Sequence, residues 1–234
     1  MAGTEPMPSF AAVIVAAGSS RRMGFDKVLT LLAGEPMLRH SVRAFEICAA
    51  VTEIVVVCAK EREVDVRSQL GDVRKLAGVV AGGDTRQESV CNGLAAITSE
   101  FVAVHDAARP LVTAELITHC FEAAVGHGAA VAAEPVTDTL QRADATGSCE
   151  GIVEREGLWR MQTPQVFRTA EIRRAMESVR ASGASVTDET SALQRVGGRV
   201  FLVENDDWNF KVTYPRDVAV AEFILQSRAA ASLT

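Results

Sequence analysis

The sequence predicts an α/β fold, a mostly parallel, Rossmann-like sheet with helices on both faces. Short apolar runs rich in β-branched residues alternate with longer stretches whose apolar residues recur at helical spacing, as in strand–helix–strand units. Hydrophobic residues make up 48% of the 234, enough to fill a large core in a single domain spanning 1–234. Residues able to bind or react gather at the carboxyl ends of the apolar runs, where ligands sit on such sheets.

FAAVIVAA (10–17) reads as the first buried strand and runs into a turn at Gly18. Leu38, Val42 and Phe45 fall at i, i+4 and i+7, one face of a helix. TEIVVVCA (52–59) is the second strand, and LAGVVAG (76–82) the third, ending at the Gly82-Gly83 turn. Val90, Leu94 and Ile97 repeat the helical spacing, FVAVHDA (101–107) delivers His105 and Asp106 at a strand end, and GAAVAAEPV (128–136) is a further strand. The rhythm then breaks. TDTLQRADATGSCEGIVERE (137–156) alternates polar and apolar residues around DATGS, which predicts a projecting β-hairpin arm. Asp188 and Glu189 stand as caps before the helix TSALQRV, residues 218–228 form the last helix, and AAASLT is a frayed tail.

Thirty acids against 24 Lys and Arg give a net charge of −6, which argues against a nucleic-acid surface. The five cysteines lack metal-binding spacing and sit mostly in apolar runs, as buried free thiols of a reducing compartment do. MAGTEPMPS has neither the basic flank nor the apolar core of a signal peptide, and no run is long enough to span a membrane. The expectation is a cytoplasmic protein.

The stretch VIVAAGSSRRMGFDKVL (13–29) carries the first chemistry. A small-residue turn after a strand offers backbone N–H groups to phosphate oxygens. Ala16 and Ala17 leave room for a ribose beside the Gly18 turn, while Arg22 and Lys27 reach a polyphosphate. Neither GxGxxG nor GxxxxGK[ST] is present, which argues against a dinucleotide-dependent oxidoreductase or a P-loop. The plain alternative is a connection whose cations are merely solvated.

Seven segments share one resemblance: the opening stretch, GGDTRQESVCNGL, VHDAARP, PVTDTLQR, LWRMQTPQ, VTDETSAL and NFKVTYPRD. In this order they resemble the 2-C-methyl-D-erythritol 4-phosphate cytidylyltransferase family of sugar-phosphate nucleotidyltransferases. The resemblance implies that CTP and methylerythritol phosphate give CDP-methylerythritol and pyrophosphate, with Mg²⁺ or another divalent cation. The acceptor phosphate is already an anionic nucleophile, so the reaction needs positioning and charge neutralisation rather than a base.

By that resemblance Arg22 and Lys27 are catalytic, Gly83, Asp84 and Ser89 read cytosine, and Asp106 holds the metal. Arg155 and Lys211 hold the acceptor phosphate, with Thr139, Arg109, Thr163 and Thr187 positioning the acceptor, and the arm makes a homodimer. Each has a plainer reading. Asp84 with Thr85 and Glu88 forms a helix cap, Asp106 pairs with Arg109, Arg155 is a hairpin surface charge, and Lys211 is a strand-end lysine. His105, His40, His119 and His127 read as structural, and Trp159 and Phe167 as packing. Trp208 departs from the family pattern, standing where a small or acidic residue is expected, so no metal ligand is assigned to Asp206 or Asp207. Another polyol phosphate acceptor, such as ribitol 5-phosphate, and a non-catalytic nucleotide sensor remain rival readings.

Overall fold

The strand alternation sorts the apolar residues onto two faces, and a computed structural model, which describes residues 8–18 and 29–231, shows both faces covered. Arg22 and Lys27 lie outside the described residues. The chain runs β1 (Phe10–Val15), the short pair β2 (Leu31–Leu32) and β3 (Glu35–Pro36), α1 (Met37–Ile47), β4 (Val51–Cys58), α2 (Glu63–Gln69), β5 (Leu76–Ala81) and α3 (Arg86–Ala95). It continues with β6 (Phe101–Asp106), α4 (Ala114–His127), β7 (Ala129–Pro135), β8 (Leu140–Ala143), β9 (Cys149–Val153) and β10 (Trp159–Arg168). The remainder is α5 (Thr169–Ala181), α6 (Glu189–Arg195), β11 (Phe201–Glu204) and α7 (Pro215–Ala231).

Seven strands form the main sheet in the order β11-β7-β10-β6-β1-β4-β5. β1 pairs in parallel with β4 and β6, β4 with β5, and β7 with β11. Phe10, Ala12 and Ile14 point to one side and pack with Leu38, Val42 and Phe45 of α1, Val66 of α2, and Leu116 to Ala124 of α4. Ala11 and Val13 point to the other side, among Val90 and Leu94 of α3, Ile172 and Met176 of α5, and Leu193 of α6. Period-two alternation in a strand with both faces apolar requires a helix layer on each side.

The apolar pattern does not predict β10 as a strand. It is antiparallel to both β6 and β7 and lies between them. Its inner half, including Gln162 to Gln165, carries buried polar residues, which hides it from an apolarity scan. Phe167 is buried and Trp159 half-buried, as packing residues should be. β11 is only four residues long, Phe201–Glu204, with both ends exposed, and it too escapes the pattern.

Among the described residues β8 and β9 pair only with each other, so the expected hairpin exists as a separate two-stranded ribbon. Asp144 Oδ1 accepts bonds from the backbone N–H groups of Thr146 (2.8 Å) and Ser148 (3.0 Å), and Gly147 takes φ +87° to close the turn. The last helix is longer than expected. It starts at Pro215, with Asp217 accepting from the N–H groups of Thr213 and Tyr214, and continues to Ala231, so Ala229 to Ala231 are helical and not frayed. All five cysteines are free; burial pushes the thiols of Cys58 up to about 11 and Cys120 up to about 12, while Cys149 is exposed on the arm.

α3 crosses β1 and β4 at Gly93, where an added Cβ would stand 2.4 Å from Val13 Cγ1 and 2.8 Å from Val57 Cγ2. Gly93→Ala should therefore destabilise the fold by about 1–3 kcal/mol through overpacking, although alanine is the better helix former. Urea unfolding of the two proteins checks this; an unchanged or raised midpoint would contradict the close crossing.

Candidate active site

Parallel strands end on one edge, and β1, β5 and β6 bring three loops together there. A cavity of about 290 Å³ lies between them, lined by Ala16, Ala17, Gly18, Gly83, Asp84, Ser89 and Asp106, together with Thr85, Arg86 and Lys211. Every described residue expected to bind the nucleotide is thus brought to one place. The Ala16 N–H donates to Val57 O (2.7 Å) and the Gly82 N–H to Cys58 O (2.7 Å), which locks both loops to β4. A Cβ on Gly82 would meet Ala17 Cβ at 2.5 Å, so the small residues allow the loops to touch.

The start of α3 differs from the plainer reading. Its cap is Thr85, not Asp84: Thr85 Oγ1 accepts from Glu88 N (3.1 Å), and Glu88 Oε2 accepts from Thr85 N (3.1 Å). This reciprocal box leaves Asp84 on the cavity wall. Ser89 Oγ donates to Thr85 O (2.9 Å) and accepts from Gly83 N (3.1 Å), so the hydroxyl sets the shape of the glycine turn.

Asp106 ends β6 at the back of the cavity, and its partners are Arg86 and Lys211, not the Arg109 of the plainer reading. Oδ1 accepts from Arg86 Nε (3.2 Å) and Nη2 (3.1 Å), while Oδ2 accepts from Lys211 Nζ (2.6 Å). Burial works to raise the Asp106 pKa, but the Arg86 and Lys211 charges overcome it and hold the carboxyl well below the usual range. Lys211 is delivered by the segment after β11, where Val212 N donates to Ala108 O (2.8 Å).

A second cavity, of about 470 Å³, shares Arg86, Asp106 and Lys211 with the first and adds Arg109, Thr163 and Thr187. Arg109 is occupied by backbone, donating to Asn209 O (2.7 Å) and Met161 O (3.4 Å). Thr163 is buried; its hydroxyl accepts from Asp106 N (3.2 Å) and bonds His105 Nδ1 (2.9 Å), so it braces the site from behind. Thr187 is exposed at the rim. Arg155 and Thr139 line neither cavity: both stand exposed on the arm, where the Arg155 guanidinium donates to Thr137 O.

Among the described residues no group of three or more His, Cys, Asp or Glu could form a metal cage. A lone buried carboxylate beside an open cavity still fits Mg²⁺, which takes most of its ligands from water and substrate phosphates. Trp208 is 60% exposed and turned outward, while Asp207 is held by Arg228 at 2.6 Å, so neither enters the site.

Two site residues escape sequence reasoning. Arg86 bridges Asp106 and Glu189, the latter by two bonds of 2.7 and 3.0 Å, and Glu189 is 1% exposed. The available signal was a cation in the first turn of a helix, where the macrodipole disfavours positive charge.

A sequence model described as IspD, 2-C-methyl-D-erythritol 4-phosphate cytidylyltransferase, matches residues 10–227. The chain is 40% identical over 221 residues to the 2-C-methyl-D-erythritol 4-phosphate cytidylyltransferase of Prochlorococcus marinus (strain MIT 9313), covering 93% of this chain and 98% of that one. It is also 40% identical over 221 residues to a bifunctional enzyme IspD/IspF of Anaeromyxobacter dehalogenans (strain 2CP-C), covering 93% of this chain but only 57% of that relative. Against the crystal structure of the Thermus thermophilus cytidylyltransferase the TM-score is 0.78 at 33% identity, with 92% of this chain and 98% of that one covered.

His105 bears on stability. Burial pushes its pKa down to about 3, and it stays neutral between Phe45, Thr163 and the Arg109 carbonyl. A group with a depressed folded pKa stabilises above its unfolded value and loses that contribution as pH falls, here from about 6.5 towards 3. The loss should reach a few kcal/mol at the acid end. His105→Gln should flatten this part of the acid slope, read from denaturation midpoints at pH 7 and 4.5; an identical slope would mean that His105 does not cause it.

Proposed function

Because the chain belongs to the 2-C-methyl-D-erythritol 4-phosphate cytidylyltransferase family, we propose that it transfers CMP from CTP to 2-C-methyl-D-erythritol 4-phosphate in the non-mevalonate isoprenoid pathway, releasing pyrophosphate. The observation that carries this reading is the shared wall of the two cavities, since a group-transfer enzyme needs two substrates to meet at one charged partition.

In this reading CTP occupies the first cavity, its ribose against Ala16 and Ala17, its phosphates beside Gly18, and its base against Gly83, Asp84 and Ser89. The acceptor phosphate lies in the second cavity against Lys211, close to Arg109, Thr163 and Thr187. Arg22 and Lys27 neutralise the triphosphate and the departing pyrophosphate. Asp106 would hold a divalent cation, Mg²⁺ by the family resemblance, which supplies charge neutralisation at the α-phosphate. The neutral, buried His105 fits a reaction with no general base.

We extend the proposal to a homodimer. The arm forms no part of the main sheet, Ile152 on it is 75% exposed, and an isolated hairpin is marginal in water. Arg155 and Thr139 would then complete the partner's site. Five free cysteines support a reducing compartment such as the cytoplasm.

A matrix of CTP and UTP against methylerythritol phosphate and ribitol 5-phosphate, read by pyrophosphate release, tests the reaction. UTP should be slower by roughly a thousandfold or more, because a carbonyl in place of the N4 amino group leaves a buried acceptor unpaired. Comparable turnover of the two nucleotides would overturn the base-reading assignment, and preference for ribitol 5-phosphate would overturn the acceptor.

The shared arm has its own test. Lys27→Ala and Arg155→Ala should each be inactive, yet mixing them through unfolding and refolding should restore roughly a quarter of wild-type activity, because half the dimers are hybrids with one whole site each. A mixture as inactive as its parents, with subunit exchange confirmed, would place each arm in its own subunit's site.

A further inference from the structure

We infer that Arg86, anchored by Glu189, is a positioning residue that fixes one oxygen of Asp106 and reserves the other as the exchangeable face of the carboxylate. The inference deepens the reading above, in which Asp106 meets a divalent cation beside CTP, and rests on it.

The two oxygens of Asp106 are not equivalent. Oδ1 receives two N–H groups of Arg86, whose guanidinium is itself gripped by both oxygens of Glu189. Glu189 is 1% exposed, and its carboxylate bonds only to Arg86 among the described residues. Arg86 therefore cannot leave Asp106 without stranding a buried charge, a costly event. Oδ2 is different. Its described partner is Lys211, which offers a single bond from a flexible side chain that is 37% exposed. Lys211 is the partner that can move away.

Glu189 also balances charge. A lone arginine on Asp106 would cancel the carboxylate and leave nothing to attract a cation once Lys211 had moved. With Glu189 neutralising Arg86, Asp106 keeps its negative charge while its orientation stays fixed. The unfavourable placement of Arg86 in the first turn of α3 has the same logic: two carboxylates offset the dipole, and α3, β6 and α6 are tied at one guanidinium.

Arg86→Gln combined with Glu189→Gln removes both charges of the anchor and keeps an amide–amide pair. Calorimetric titration with CTP, with and without Mg²⁺, reads the effect directly, and thermal unfolding reads the fold. The wild type should bind CTP more tightly with Mg²⁺. A folded double variant should lose about 10–100-fold of that gain, taken as the ratio of its own CTP affinities with and without Mg²⁺, with a matching fall in kcat. A folded double variant with the wild-type response to Mg²⁺ would overturn the inference and leave Arg86 a brace of the fold. If the double variant does not fold, Glu189→Asp decides, because it keeps both charges and draws Arg86 off Asp106: a weakened Mg²⁺ response supports the inference and a full one overturns it. A wild type whose CTP affinity ignores Mg²⁺ would instead remove the cation reading at Asp106, and this inference with it.

Discussion

One buried negative charge organises this end of the molecule. Asp106 sits at the last position of a central strand, almost without solvent, and a carboxylate there is tolerable only if cations reach it. The two that do come from distant parts of the chain, Arg86 from the start of α3 and Lys211 from the segment after β11. Satisfying the charge therefore pulls together elements that the sheet alone would leave apart. The partition between the two cavities is the result.

The support behind that partition is largely polar. Thr163 on β10 joins His105 to the backbone of Asp106, and Gln162 Oε1 accepts from Asn205 and Asn209, the second of which also donates to Thr163 O. Burial keeps His105 uncharged, so no further positive charge competes for Asp106 from that side. Rigid polar scaffolding of this kind holds side chains in place while giving up apolar burial, and it explains why an interior strand such as β10 contains so few aliphatic residues.

This also marks what was legible in the sequence. Strands that end at Val15, Cys58, Ala81 and Asp106 announce themselves because both faces must be apolar, and the small residues at Ala16, Ala17 and Gly18 follow from the close approach of loops. β10 was not legible, because Gln162, Thr163 and Gln165 are buried for their hydrogen bonds and look like a loop to any pattern of hydrophobicity. Arg86 and Glu189 were hidden for a related reason: their meaning lies in a contact across the fold, and a cation in a helix's first turn becomes informative only when its two partners are seen. Asp106 was legible, but its neighbour in sequence, Arg109, gave the wrong partner.

The antiparallel placement of β10 also sets how far each strand pairing must reach along the chain. β7 and β10 are the two legs of one long hairpin whose outer part is the arm, with Pro135 opposite Trp159, so their pairing closes a short loop. The pairing of β1 with β6 joins Val15 to Asp106 and must await a much longer closure, with its larger entropic cost. The hairpin that carries Thr163 is thus a unit of local contacts, and the strand bearing His105 and Asp106 pairs with it from much farther along the chain.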